Sequence, residues 1–214
     1  MLGFLFTDPI QFLIWALALL SAVTVHEFAH AWTAVKFGDP TPKLQGRLTL
    51  NPLAHLDPLG TLMLLLVRFG WGKPVQFDPF NLKNPRRDAA VISLAGPASN
   101  LLFASILSIL LRFSQMPFSP FAQVSILIQP FIMLNVVLAV FNLIPVHPLD
   151  GGKILVGLLP PGDAARADLF MSKYGIFILI LLVFPVFGSS FVFTMISPII
   201  NFLLNIYIPG GSVS

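Results

Sequence analysis

The chain has 214 residues, of which 56% are hydrophobic and 10% charged. Soluble domains carry about 25% charged residues, so a soluble enzyme is excluded and a single compact integral membrane unit is expected. A formal net charge of +3 without a basic cluster offers no surface for nucleic acid, and the lack of cysteine rules out disulfides and thiolate metal ligands.

Residues 1–9 form a short apolar lead-in. Asp8-Pro9 is a helix-start signal, with Asp8 near the cap and Pro9 in the first turn. A membrane helix is expected over about 10–36, longer than the ~20 residues that span a bilayer. No Lys or Arg precedes it, so it reads as a retained span and not a signal peptide. Its second half carries His26-Glu27-Phe28-Ala29-His30. Residues four apart share a helix face, so His26 and His30 can offer two imidazole nitrogens to one metal ion. Glu27 stands beside them, placed to handle the proton of a water. This H-E-x-x-H spacing suits zinc-assisted amide hydrolysis. In a soluble helix the same spacing is often an ordinary solvated face. Inside a hydrocarbon-length helix that explanation fails, and ionisable groups there read as functional.

Residues 41–88 are different in kind. Polar and apolar residues partly alternate over 43–50, which suggests one or two short strands with a bend at Gly46. Residues 59–69 are apolar but few, and fit a re-entrant or interfacial segment better than a span, although tilting could let them cross. A further short strand is expected at 73–77. A second membrane helix is expected over about 89–113. It contains Gly96-Pro97-Ala98-Ser99-Asn100, in which the small residues permit close helix contact. Asn100 needs a partner at that depth, and an interhelical hydrogen bond is the simplest.

A third helix is expected over about 124–146. It ends in Asn142-Leu143-Ile144-Pro145-Val146-His147-Pro148-Leu149-Asp150-Gly151-Gly152. The prolines break it, Asp150 follows at membrane depth, and the glycines allow a tight backbone. Broken helices beside ionisable groups build polar sites in membrane proteins, which makes Asp150 the natural third ligand. Residues 153–173 read as a loop. Two C-terminal apolar helices follow at about 174–187 and 190–206, then a tail. The expected fold is thus an all-α polytopic membrane protein with about five transmembrane helices, a short apolar or re-entrant segment and small β-strand elements near the site, forming a single membrane domain over 1–214. If 59–69 does not cross, every basic residue except Arg112 falls on one face, which the positive-inside rule makes cytoplasmic. His26, His30 and Asp150 then lie toward that side of the cell membrane.

With these residues in place, the chain resembles the site-2 protease family of intramembrane zinc metalloproteases, in its short form without PDZ or CBS modules. The resemblance rests on the H-E-x-x-H pentapeptide, on residues 96–100, on Asn142-Leu143-Ile144-Pro145 with Leu149-Asp150-Gly151, and on the segment 46–58. It implies one Zn2+ per chain held by His26, His30 and Asp150, with Glu27 as catalytic base. It implies cleavage of a transmembrane or membrane-adjacent peptide, often an anti-sigma factor or a similar regulator. It also implies that Asn142 lines the site and that His55 lies near its mouth. His147 departs from the pattern, since the family usually carries proline there; it reads as a partner of the ligand loop, a substrate contact, an extra ligand or an interfacial side chain. Two other classes fit the polar intramembrane residues: an ion-binding transporter, and a zinc-bound scaffold without catalysis. A fourth protein ligand such as His55 or His147 would mark the scaffold.

Overall fold

A computed structural model of the protein describes residues 7–67, 70–120, 122–184 and 190–209. Among the described residues eight α-helices follow in chain order: α1 (Pro9–Lys36), α2 (Thr41–Leu44), α3 (Pro58–Val67), α4 (Pro85–Ser114), α5 (Ser125–Asn142), α6 (Asp150–Leu158), α7 (Pro161–Val183) and α8 (Phe191–Tyr207). Three stretches are long and apolar enough to cross a membrane: α1, α4, and α5 with its preceding turn, Ala122–Asn142.

The start of α1 is built as expected. The Asp8 carboxylate accepts the Gln11 N–H at 2.9 Å, and Pro9 occupies the first turn, where its missing N–H costs nothing. The helix stops at Lys36, and Gly38 just beyond it adopts φ +104°. Ala18, Ala22, His26, His30 and Ala34 form its buried stripe at a spacing of four. Small residues on that ridge let α4 approach closely. The matching stripe of α4 includes Ile92, Ser93, Gly96, Asn100 and Ala104. At the other end of α4 a hydrophobic cluster joins Ala104 and Leu111 to Ile132, Val136 and Val140 of α5 and to Val192, Ile196, Ile200 and Leu204 of α8. Large apolar side chains such as Phe177 and Phe191 remain exposed, as lipid-facing residues would be.

The expected strands do not form among the described residues. Over 41–50 the chain makes α2 and a set of turns. The Asp39 carboxylate accepts the Thr41 N–H at 3.0 Å and starts the turn. The amides of Leu44, Gln45 and Arg47 then bond to the carbonyls of Pro40, Thr41 and Pro42. Those groups are committed locally and cannot make a ladder. Over 73–77 the neighbouring contacts are a single bridge between Leu56 and Gly72 and the Lys73 N–H bound to the His55 carbonyl at 2.8 Å. Asp39 also receives the Asp78 N–H and the Asn81 side-chain amide, both at 2.8 Å, and so ties the far end of this segment to the end of α1.

The short apolar segment expected at 59–69 is α3, of ten residues. At a rise of about 1.5 Å per residue it extends roughly 15 Å, half the hydrocarbon thickness. Residues 68–69 of the expected segment lie outside the described residues. The second span begins at Pro85, four residues before the expected boundary, because the Asp88 carboxylate reaches back to the Asn84 N–H at 2.8 Å. The expected loop at 153–173 is helical instead. Asp150 opens α6, and Pro161 opens α7 from its first turn. Residues 185–187 of the expected helix at 174–187 lie outside the described residues.

Candidate metal centre

The two histidines of α1 sit one turn apart with ring centroids 4.6 Å apart and planes at 86°. Each Nδ1 is bound at 2.7 Å, that of His26 to the Asn100 Oδ1 and that of His30 to the Ile92 carbonyl. A carbonyl oxygen only accepts, so His30 Nδ1 carries the proton. Asn100 is oriented by its own donors. Its Nδ2 gives one bond to the Ala22 carbonyl at 2.9 Å and another to the Asn135 Oδ1 at 2.7 Å. Its oxygen therefore faces His26, and His26 Nδ1 is protonated too. Asn135 is oriented in turn through its Nδ2, which donates to the Phe131 carbonyl at 2.8 Å.

Both Nε2 atoms thus present lone pairs, and both face Asp150. Its Oδ2 lies 3.0 Å from His26 Nε2 and 3.2 Å from His30 Nε2. The three ligand atoms lie within 4.8 Å of one another. Three electron pairs converging on one point repel unless a cation or a shared proton lies between them. Two neutral imidazoles and one carboxylate are a donor set suited to zinc, and the carbonyl and amide partners behind the imidazoles fix them as metal ligands require. The residues present fit the ion.

The approach of α4 to these rings depends on Gly96. A Cβ there would stand 2.4 Å from His30 Nε2 and 2.7 Å from His26 Cε1. The turn that carries Asp150 depends on Gly151, whose added Cβ would meet the Ile144 carbonyl oxygen at 2.2 Å. The sequence therefore uses glycine where α4 meets the histidines and where α6 folds back on the end of α5.

Glu27 projects beside the cluster into a cavity of about 330 Å³, which is also lined by Val75, Phe77, Ser93, Asn142 and Lys153. The Glu27 Oε2 accepts the Val75 N–H at 2.8 Å. The Lys153 ammonium lies 4.7 Å from the centroid of the Phe77 ring, a cation–π distance. Segment 71–77 is thereby joined to the site from two sides.

The structure brings His26, Glu27, His30, Asp150, Asn100 and Asn142 together. His55 and His147 are not among the residues lining the cavity, although the His55 carbonyl accepts the Lys73 N–H of the segment that does. His55 is fully buried, and its Nε2 donates to the Thr49 carbonyl at 2.9 Å. His147 Nε2 lies 3.0 Å from the Asp168 carboxylate on α7. Asn142 gives its Nδ2 to the Leu138 carbonyl at 2.9 Å while lining the cavity. Sequence reasoning missed Asn135, the Ile92 carbonyl, the Val75 amide, Ser93 and Lys153. An asparagine inside an apolar helix is a signal that could have found Asn135. Main-chain groups carry no such signal.

Residues 14–183 match the model of Peptidase family M50. The chain is 41% identical over 186 residues to the Bacillus subtilis (strain 168) protein named "Putative zinc metalloprotease YwhC", covering 85% of this chain and 84% of that one. It is 34% identical over 179 residues to "Putative zinc metalloprotease Rip2" of Mycolicibacterium smegmatis (strain ATCC 700084 / mc(2)155), covering 80% of this chain and 67% of that one. "Zinc metalloprotease MJ0392" of Methanocaldococcus jannaschii (strain ATCC 43067 / DSM 2661 / JAL-1 / JCM 10045 / NBRC 100440) is 26% identical over 141 residues, 66% of this chain and 33% of that one. No solved structure matches the chain.

Proposed function

The chain belongs to peptidase family M50, the site-2 proteases, and from that premise we propose how it works as an intramembrane zinc metalloprotease. His26, His30 and Asp150 hold the zinc, and Glu27 is the general base. The observation that carries this assignment is the convergence of two Nε2 lone pairs and the Asp150 Oδ2 beside Glu27, in a cavity among apolar helices.

When bound, zinc supplies Lewis acidity to the peptide carbonyl and to water. The remaining work falls to the chain's own groups. Glu27 takes the proton of the attacking water and returns it to the leaving nitrogen. Asn100 and the Ile92 carbonyl hold the imidazoles in the tautomer that leaves Nε2 free. Gly96 and Gly151 let the helices close around the cluster.

The substrate is a transmembrane or membrane-adjacent peptide, with anti-sigma factors and similar regulators as candidates. A helical substrate hides its carbonyls in its own hydrogen bonds, so it must unwind at the scissile bond. Segment 71–77 lines the cavity and lacks helix or sheet partners over most of its length, which supports docking of the unwound peptide beside it. The second half of α7 and the 17-residue α8 complete about five spans with α1, α4 and α5. The one-sided distribution of basic residues supports an open side of the site at the cytoplasmic face of the cell membrane. A zinc site that serves only structure is normally closed by a fourth protein ligand. Among the described residues the cluster has three such groups, which favours catalysis over the scaffold reading.

The test is cleavage of a membrane-spanning peptide by the full chain in detergent. Wild type should cleave it, a chelator should stop cleavage, and Glu27→Gln should keep zinc while losing activity by about 10²- to 10⁴-fold. Undiminished cleavage by Glu27→Gln would refute the assignment.

A further inference from the structure

Helix α4 carries five serines, and four of them are hydrogen-bonded within the protein. Ser99, Ser105 and Ser114 donate to the carbonyls of Gly96, Leu101 and Leu111 at 2.7, 2.8 and 2.7 Å, and Ser108 donates to the Tyr207 carbonyl at 2.6 Å. Ser93 differs. Its residue is 1% exposed, its Oγ has no hydrogen-bond partner, and it lines the cavity that holds Glu27. One other buried side-chain atom among the described residues shares this condition, His55 Nδ1. That atom is the second nitrogen of a ring whose Nε2–H already donates to the Thr49 carbonyl. Ser93 instead leaves an O–H donor unused, and an orphaned buried hydroxyl is costly.

We propose that Ser93 is a substrate-contacting residue of this cavity, and that its hydroxyl hydrogen-bonds the main chain of the unwound peptide beside the ligand cluster. The reasoning is one of matched needs. A peptide unwound in a low-water cavity exposes N–H and C=O groups that each require a partner. Several other polar groups of the cavity already have protein partners. Glu27 accepts from Val75, Asn142 donates its amide to Leu138, and Lys153 lies over Phe77. Ser93 is the lining residue whose buried hydroxyl has no partner, and it is next in sequence to Ile92, whose carbonyl orients His30. Its partner arrives with the peptide.

This inference rests on the zinc-protease reading, and the test separates the two. Zinc-loaded full chain in detergent is titrated with acetohydroxamate, which offers a zinc-binding group alone, and with a leucyl-phenylalanyl hydroxamate, which adds peptide main chain. Ser93→Ala should weaken the peptidyl hydroxamate by about 3- to 10-fold, the range of one hydrogen bond, and leave acetohydroxamate binding unchanged. Its melting temperature should stay level or rise, since an unsatisfied hydroxyl is removed. Equal affinity of Ser93→Ala and wild type for the peptidyl probe overturns the proposal. Equal weakening of both probes also overturns it, because the role then lies at the metal, and a clear fall in melting temperature does so by revealing a structural bond. Failure of wild type to bind either hydroxamate defeats the zinc-protease reading itself.

Discussion

The Glu27 carboxylate accepts the main-chain N–H of Val75 at 2.8 Å, which joins the proposed general base to a residue 48 positions further along the chain. This bond holds one carboxylate oxygen and leaves the other to meet water. Proline at position 75 has no N–H to give. Val75→Pro is expected to lower kcat by about tenfold, since Glu27 loses its orientation, with zinc content as in wild type. Cleavage kinetics beside metal analysis check this, and an unchanged kcat would make the contact incidental.

Asn100 sets the tautomer of His26. Asn100→Ala removes the acceptor behind the imidazole and should reduce zinc affinity by about 10- to 100-fold. Competition against a chelator of known affinity measures it. Full retention of affinity would mean that His26 needs no such support.

Gly96 lies where α4 meets both imidazoles, and a Cβ would stand 2.4 Å from His30 Nε2. Gly96→Ala must push the rings or the helix aside. Overpacking of this kind costs about 1–3 kcal/mol, so both melting temperature and bound zinc should fall. A variant that melts like wild type with one zinc per chain would contradict the close approach.

His147, in the loop after α5, and Asp150, which opens α6, should behave oppositely. Asp150→Ala removes one of the three proposed ligands and should abolish stoichiometric zinc. His147→Ala breaks a contact to Asp168 on α7, 3.0 Å long, and should keep zinc affinity within about twofold, because partly exposed pairs contribute about 0–1 kcal/mol. Loss of zinc in His147→Ala would place His147 among the ligands after all.

Asp39 supplies a pH dependence outside the membrane. Burial alone would raise its pKa, but hydrogen bonds from the Thr41 hydroxyl and amide, from the Asn81 side chain and from the Asp78 amide outweigh burial and hold it below the ordinary carboxylate value. A group whose folded pKa is lowered stabilises the fold above its unfolded pKa, about 3.9, and that stabilisation is lost as pH falls through the folded value. Thermal unfolding in detergent should therefore show an acid limb below about pH 4. Asp39→Asn should lower stability at pH 7 by about 1–3 kcal/mol and flatten that limb. An identical limb in wild type and variant would assign it to other carboxylates.

The misreadings share a cause. The alternation over 43–50 suggests strands, yet Asp39 and the local amides capture the main chain first. Residues 153–173 carry charges and prolines that suggest a loop. In the fold Gly157 brings α6 against α4 so closely that a Cβ would stand 2.3 Å from the Ala90 Cβ, and Pro161 falls in a first turn where it is harmless. Packing partners distant in sequence decided both cases, and local patterns do not encode them.

The sequence by itself determined the membrane setting and the helix of His26, Glu27 and His30, because hydropathy and the spacing of four act within one helix; it offered Asp150 as a third ligand from the broken helix before it. What Asn100 does was open in the sequence, and only the tertiary structure decided it. That Asn100 turns His26, that the Ile92 carbonyl turns His30, that Val75 holds Glu27 and that His147 faces α7 all depend on groups dozens of residues apart meeting at hydrogen-bond distance. Such meetings are set by how closely the helices approach, and here small residues at Ala22 and Gly96 set that approach.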